Sequence, residues 1–580
     1  MGNWIKSTLF RFDSLLFPRK NYCIDYSIPG SQQRYTISLI RVAAELISLQ
    51  RMDRSRKNDS DSEFSSDDEC PRMSREEEER MFEQERMIAF SGRCTIGDQQ
   101  SMDSLKNDIR SRCVAEPSTS IYQMNMARET GSRKKSQYCG QRSRNAMTNS
   151  YLPNRRKMVD KVQCKSFCCK YTADGRVLVT ASQDERIRFY QKNSALTKHV
   201  SQYKKFRELK VDVCSWSILD FDMSYDASTL AYATWKDAVF VNKLSENDEN
   251  HPDNRACWTM ISLGESEHNT AVFCIRFSED GRQIVAGSSD YGIHVLDVER
   301  RVRLRTVMNA HEDDVNTVCF AAENPNMIYS GGDDGLVKVW DRRAWRDGDV
   351  VPVGVFAGHR DGITSVDSRG DGRYLLSNCK DQTIKIWDLR RFSCSLGING
   401  TRNCVKNQSW DYRWQPAPPG LCQPVFGDTS VVTLRGHSVL HTLVRAKFSP
   451  ERTGRRYIYT GCARGEIVVY DVLTGAVSKR LKGHQSVVRD IDWHPDENEI
   501  VACSWDGTTS VWSWDERADR MPPPGSDSPY GEDDSCDEWY KPIARTQRRS
   551  RKCASSSSAC RPSGSRYQNS YSHKYDDDDD

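Results

Sequence analysis

The stretch GGDDGLVKVWDRR, residues 331–343, joins an Asp-Gly turn to an alternating strand that ends in Trp-Asp, and NCKDQTIKIWDLR, residues 378–390, repeats it 47 residues later. In both, β-branched residues alternate with polar ones, the pattern of a strand entered through a tight turn. A phrase that recurs every 40–50 residues or so marks a four-stranded propeller blade. Lining up similar strands gives seven phrases: DERIRFYQ, KDAVFVNK, DYGIHVLD, DGLVKVWD, DQTIKIWD, RGEIVVYD and DGTTSVWS. The tryptophan position falls at Tyr190, Asn242, Leu296, Trp340, Trp387, Tyr470 and Trp512, in steps of 52, 54, 44, 47, 83 and 42 residues. The step of 83 leaves room for an insertion, residues 391–434, after blade five rather than for a further blade.

The expected fold is therefore all-β, a seven-bladed propeller over residues 151–516 whose closed ring removes exposed sheet edges. An outer strand must close the ring, and YLPNRRKMV, residues 151–159, is the candidate to pair with the last blade. A histidine precedes the first strand of four blades, at His311, His359, His437 and His484. In the fourth blade His311, Ser330, Asp334 and Trp340 follow in order, and in the fifth His359, Ser377, Asp381 and Trp387 do. A buried aspartate must be paired, and imidazole N–H, hydroxyl and indole N–H donors can pair it. These histidines and aspartates look catalytic on paper, but the repeat assigns them to structure. The set is incomplete elsewhere: Arg464 stands at the aspartate position of blade six, and Ala502 at the hydroxyl position of blade seven.

Outside the repeats the chain changes character. Its 580 residues carry 84 basic and 81 acidic side chains, a net charge of +3, so no global field draws it to nucleic acid or a membrane. Hydrophobic residues make up 37% and the mean hydropathy is −0.72, low for a chain folded end to end. Twenty-one irregularly spaced cysteines, with no C-x-x-C pair, fit neither a disulfide framework nor a zinc site and point to a reducing compartment. No uncharged apolar run reaches the length of a membrane span. The N-terminal MGNWIKS misses a myristoylation signal by one place, with Lys6 where the hydroxyl belongs.

Residues 1–150 read as a mostly disordered arm, rich in Ser, Arg, Asp and Glu. Within it TISLIRVAAELISLQ, 36–50, has helical spacing, and Met52 opens what resembles a second protein start. SREEEERMFEQERMIAF, 74–90, begins with a capping box, Ser74 and Glu77, and reads as a short helix. Residues 517–580 read as a disordered low-complexity tail. Its basic cluster Arg548, Arg549, Arg551 and Lys552 is a candidate nuclear-localisation signal, so a nuclear and cytoplasmic protein is expected. In the insertion, Trp410, Tyr412 and Trp414 flank Arg413, a cluster expected to plug the side of the propeller.

The repeat needs an aspartate at the end of the strand, but nothing in the tetrads needs Arg343 or Arg390, each two residues past that aspartate. The pairs Trp340–Asp341–Arg343 and Trp387–Asp388–Arg390 match the WDxR box of cullin-4 substrate receptors. A broader resemblance covers roughly residues 145–516, through ASQDERIRFY (181–190), AHEDDVNTVCFA (310–321), SGGDDGLVKVWDRR (330–343), GHRDGIT (358–364), CKDQTIKIWDLRRFS (379–393), WDYRWQ (410–415), RGHSVLHTL (435–443) and VVYDVLTG (468–475). These stretches resemble the WD40 group of cullin-4-associated factor 11 and its plant LEC14B-like relatives. The resemblance implies a substrate receptor of a cullin-4 ubiquitin ligase. One rim would meet the damaged-DNA-binding adaptor through the six WDxR residues, and the opposite face would hold substrate for ubiquitination and proteasomal degradation. A stress-response bZIP transcription factor of the cap'n'collar type is the substrate that the resemblance suggests.

The competing expectation is a WD40 scaffold with no ligase, in a nuclear assembly; adaptor binding through Arg343 and Arg390 separates the two. An enzyme is not expected, for no P-loop, H-E-x-x-H or G-x-S-x-G motif occurs. No cofactor, metal, membrane or direct nucleic-acid partner is expected. Substrate contacts are placed around Arg464, Trp505 and the loops after His311 and His359. Cys379 and Cys462, each beside a basic residue, are the cysteines with a claim to redox sensing.

Overall fold

A computed structural model describes residues 23–27, 34–38, 94–113, 141–192, 203–244, 258–264, 270–345 and 350–516. Two compact units emerge, residues 1–78 and 79–580. In the first, the described residues form one antiparallel hairpin, Cys23–Ser27 with Arg34–Ser38. Residues 36–38, the start of the stretch expected to be helical, therefore belong to a strand. The 74–90 segment, the rest of 36–50 and the basic cluster 548–552 lie outside the described residues.

The second unit contains seven antiparallel sheets, each a blade. Blade one is Ser166–Tyr171, Val177–Ser182, Arg186–Lys192 and Tyr203–Lys210. Blade two spans Asp220–Ser262, blade three Val272–Val307, blade four Val315–Phe356, blade five Ile363–Arg435 and blade six Ala446–Lys482. Blade seven takes Val488–Trp493, Glu499–Ser504 and Thr508–Ser513 from the end of the repeat region, and its fourth strand, Arg155–Lys161, from before it. The closing strand is thus the one expected from sequence, beginning four residues later and ending two later. Arg156 fixes its register by donating to Ser510 Oγ (2.9 Å) and Thr508 Oγ1 (3.2 Å), with its guanidinium above Trp512.

Seven apolar clusters fill the seven junctions between neighbouring blades. Leu178, Tyr190, Val501 and Val511 join blade one to blade seven, and Val339, Phe356, Leu375 and Trp387 join four to five. Nearer the axis, acceptors on one innermost strand take backbone N–H groups from the next. Asp490 and Asp492 accept from Cys169 and Tyr171 (3.2 and 2.8 Å). Asp220 and Asp222 accept from Ile275 and Phe277 (3.1 and 2.8 Å), and Asp367 from Phe448 (2.7 Å). Innermost strands of different blades splay too far apart to form a ladder, so side chains satisfy the amides that a ladder would otherwise use.

Two features depart from the sequence reading. The arm contains a helix, Gln99–Cys113, preceded by a two-residue strand, Thr95–Ile96, that adds a fifth strand to blade five, and a second helix, Gln141–Asn149. Met102, Leu105, Ile109 and Cys113 form one stripe of the first helix and are buried in the junction of blades five and six. Asp98 caps it, accepting from Ser101 N at 2.9 Å, and the Ser101 hydrogen bonds with Arg391 hold its carboxyl down at about 2. The apolar stripe is only four residues wide on a polar helix, so composition concealed it.

The insertion lies inside blade five, between its third and fourth strands, rather than after it. It forms the helix Ser395–Lys406, whose Arg402 pairs with Glu312 at 2.6 Å, and then crosses to blades five and six. There the Tyr412 ring lies 4.5 Å from Lys380 Nζ, and Tyr412 O accepts from His441 N at 2.9 Å. The expected plug holds only in part: Tyr412 covers Lys380, while Trp414 is 82% exposed.

Candidate functional sites on the two faces of the propeller

An antiparallel four-stranded meander puts the start of its first strand and the turn between its second and third strands at one end. The end of its third strand comes out at the other. The upper face of this ring therefore carries the loops before Val315 and Ile363 and the turns at Asp333–Gly335, Lys380–Gln382, Arg464 and Trp505; the lower face carries Asp341–Arg343 and Asp388–Arg390.

The tetrads stand between these faces. His311 Nδ1–H donates to Asp334 (2.9 Å), Ser330 donates to His311 Nε2 (2.7 Å), and Trp340 Nε1–H donates to Ser330 Oγ (2.8 Å). Blade five repeats the arrangement with His359, Asp381, Ser377 and Trp387 at 3.0, 2.7 and 2.8 Å. Burial opposes ionisation of Asp334 and Asp381, but pairing with His311 and His359 outweighs it and leaves both carboxyls below their ordinary range. Cys379 lies beside His359 and Asp381, a grouping with metal-ligand chemistry. Its members are already committed, the imidazole to Asp381 and Ser377 and the thiol to Asp361 O at 3.0 Å.

Other blades improvise. In blade six, His437 donates to Asn378 Oδ1 in the next blade (2.9 Å) and accepts from the Tyr470 hydroxyl (3.0 Å), which makes the missing aspartate unnecessary. Burial drives its imidazole down to about 3. Blade seven uses Thr508 and Asp506 against His484, with Thr508 Oγ1 at 2.8 Å from Nδ1. Blade three uses His294 from its third strand, bonded to Asp290 (3.0 Å), Ser288 (3.0 Å) and Thr306 (3.1 Å). Sequence reasoning missed His294 because it sits on the strand instead of ahead of it.

On the lower face both WDxR arginines fold back onto their own aspartates. Arg343 donates through its backbone N (2.9 Å), Nε (3.0 Å) and Nη2 (2.7 Å) to Asp341, and Arg390 does the same to Asp388 at 3.1, 3.0 and 2.7 Å. Hydrogen bonds from Arg343 hold Asp341 below the usual carboxylate value; burial pushes Asp388 up, but the Arg390 pairing outweighs it. The clamp keeps each planar guanidinium pre-oriented, with its outer edge still in water: the side chains are 66% and 62% exposed. Of the six WDxR residues, Trp340 and Trp387 are buried in the tetrads and the Asp388 side chain is 1% exposed. The arginines, with the edge of Asp341, are what a partner would meet. Arg391, next to the second clamp, bonds Asp98 and Ser101, so the docked helix borders the same rim.

The insertion holds a third clamp that the repeat alignment did not reveal. Arg413 donates to Asp411 through N (2.9 Å), Nε (3.0 Å) and Nη2 (2.7 Å), within WDYR, on the upper face. Around the axis lies a cavity of about 270 Å³ lined by Arg276, Arg445, Lys447, Asp490 and Asp492 among others. Its charges answer each other: Arg276 meets Asp220 at 2.6 Å, Arg445 meets Asp220 and Asp490 at 2.7 and 3.1 Å, and Lys447 meets Asp492 at 3.0 Å. Cys379 and Cys462 are fully buried, and burial pushes the Cys462 thiol up to about 11 and Cys379 well above its ordinary value. Neither has the exposure or thiolate character of a sensor.

A profile of the WD domain, G-beta repeat, matches residues 261–297, 302–341, 350–388 and 475–513. The chain is 56% identical, over 96% of its length and 98% of the relative's, to the DDB1- and CUL4-associated factor 11 homolog of Caenorhabditis elegans. It is 54% identical to the homolog of Caenorhabditis briggsae over 91% of this chain and 96% of that one. The LEC14B protein of Lithospermum erythrorhizon is 40% identical over 62% of this chain and 74% of its own. With seven blades, tetrads in their WD40 positions and near-complete coverage at this identity, the chain belongs to the DDB1- and CUL4-associated factor 11 family.

Proposed function

We propose that this chain is the substrate receptor of a cullin-4 ubiquitin ligase. It docks on the DDB1 adaptor through Arg343 and Arg390 on the lower face and offers its upper face to substrate. The family's names supply the partners; the observation that carries the docking site is the pair of matching Asp–Arg clamps on one rim of adjacent blades. An arginine fork already ordered loses less entropy when a carboxylate or carbonyl partner arrives. The receptor makes and breaks no bond. It raises the effective concentration of substrate lysines near a charged ubiquitin-conjugating enzyme. The proposed substrate is a cap'n'collar-type bZIP transcription factor.

The test is capture of purified DDB1 by the full chain and by Arg343→Ala/Arg390→Ala. Capture should fall by about tenfold or more in the double variant, the range of an interface hot spot, with the melting temperature unchanged. Wild-type capture retained in the variant would move the docking site elsewhere. A matching loss of thermal stability would make the arginines structural.

A further inference from the structure

The upper face carries an aromatic row that the tetrads and clamps do not use. Phe167 meets Trp505 of blade seven and Trp216 ahead of blade two, with ring centroids 6.0 and 5.4 Å apart. Trp216 meets Trp235 edge-on at 6.4 Å, and Trp235 meets Phe273 of blade three at 5.8 Å. Trp216 is 48% exposed and Trp235 42%. Large aromatic groups in contact with one another and open to water on one side are an uncommon use of surface in a monomer. The rings also accept cations: Lys165 Nζ lies 3.8 Å from the Trp505 centroid, and the Arg489 guanidinium 5.1 Å from that of Phe167.

The row ends on blade three, whose first strand lies against that of blade four, with Cys274 Sγ 3.5 Å from Val318 O. Beyond it the upper face turns acidic. Asp313 and Asp314 precede the first strand of blade four, Asp333 lies in its turn, and Asp361 precedes blade five. Asp333 N donates to Asp314 O at 2.9 Å, which holds the first three together. Among the described residues one base makes an ion pair with this group, Lys380 at 2.7 Å from Asp333. Burial first, and then Asp333 and Asp313, push Asp314 up to about 6, and burial pushes Asp361 to about 6 although Lys380 opposes it.

We propose that the upper face holds an extended segment of a partner protein in which a stretch of bulky apolar side chains is joined to a basic stretch. The apolar groups lie on the tryptophan row and the basic groups on the carboxylates of blades four and five. This rests on the receptor reading, because it gives the chemistry of what the receptor presents. The acidic arc decides between peptide and nucleic acid. Bases could stack on the same rings, but their phosphates would meet carboxylates where such grooves carry bases. The exposed Trp414 adds a further apolar contact on the far side of the acids.

The experiment uses the full chain and fluorescence anisotropy. The probe is a fluorescein-labelled peptide of about twelve residues, a leucine- and tryptophan-rich half followed by an arginine-rich half, long enough to span several blades when extended. The controls are the same peptide with glutamate for arginine and an oligothymidylate. The basic peptide should bind, more weakly as salt rises, and the two controls should not. Trp216→Ala/Trp235→Ala and Asp313→Asn/Asp314→Asn should each weaken binding about tenfold or more, while both variants keep DDB1 capture as proof of fold. Arg343→Ala/Arg390→Ala should bind the peptide as wild type does. The proposal is overturned if the basic peptide fails to bind, if the glutamate peptide or the oligothymidylate binds as well, or if both variants bind normally. Peptide binding without DDB1 capture would instead sink the receptor reading and leave the surface standing.

Discussion

At Asp381, 3% exposed, the charge survives burial because His359 Nδ1, the Arg360 amide and the Thr383 hydroxyl all donate to it. Asp381→Ala strands the imidazole and its hydroxyl partner together, so the expected loss is about 3 kcal/mol in denaturant unfolding, as for a broken buried pair. His437 makes the opposite use of burial. Its folded imidazole stays neutral down to about 3, whereas the unfolded one takes up a proton near 6.5. Its contribution is thus fully present above 6.5 and is lost as pH falls from there toward 3, with a slope of at most about 1.4 kcal/mol per pH unit. His437→Gln should lower stability at neutral pH and flatten that slope; an unchanged slope would assign it to other groups, His484 first, whose imidazole burial also lowers. The roles of His359 and Asp381 were readable from spacing. His437 was not, because its acceptor, Asn378, comes from the neighbouring blade.

The Gln99–Cys113 helix shows how an element is decided by what it lies on. Its Asp98 cap and its apolar positions at 102, 105, 109 and 113 were present in the sequence, but the surrounding polar residues match those of the arm on either side. Burial of Leu105 and Ile109 against blades five and six supplies about 1.5–3 kcal/mol each, which an isolated helix of this composition lacks. Arg373 and Arg369 then bind Ser104 and Asp108 at 2.8 and 2.7 Å and set its direction. Leu105→Asp should release the helix, seen as rapid amide exchange over residues 99–113 with blades one to three still protected. Arg110→Ala, on the exposed outer side, should change neither. Protection retained in Leu105→Asp would mean that the ion pairs alone hold the segment.

Across the whole molecule, closure depends on one strand that precedes the ring it completes. Arg155–Lys161 pairs with Thr508–Ser513, and Leu152 enters the junction of blades six and seven. Without it the Thr508–Ser513 strand is left as an open edge, a template for pairing with other chains. Met158→Pro, opposite Ser510, should therefore weaken this pairing and turn one cooperative unfolding transition into a broad or concentration-dependent one. A single transition at wild-type temperature would show that the seven junctions hold the ring without the strand.

The blade count, the tetrads of blades four and five, the closing strand and the position of Arg343 and Arg390 on one rim were all determined by the sequence alone. Each rests on local order: a fixed number of residues from turn to strand end puts the same side chain at the same place in every blade. Tertiary structure decided the rest. It alone joined Asp220 to Arg276 and Arg445, His437 to Asn378, the 99–113 helix to its groove, and Trp505, Phe167, Trp216, Trp235 and Phe273 into one row. Those partners are far apart along the chain, and nothing in the spacing of residues within one blade records which blade will lie beside it when the ring closes.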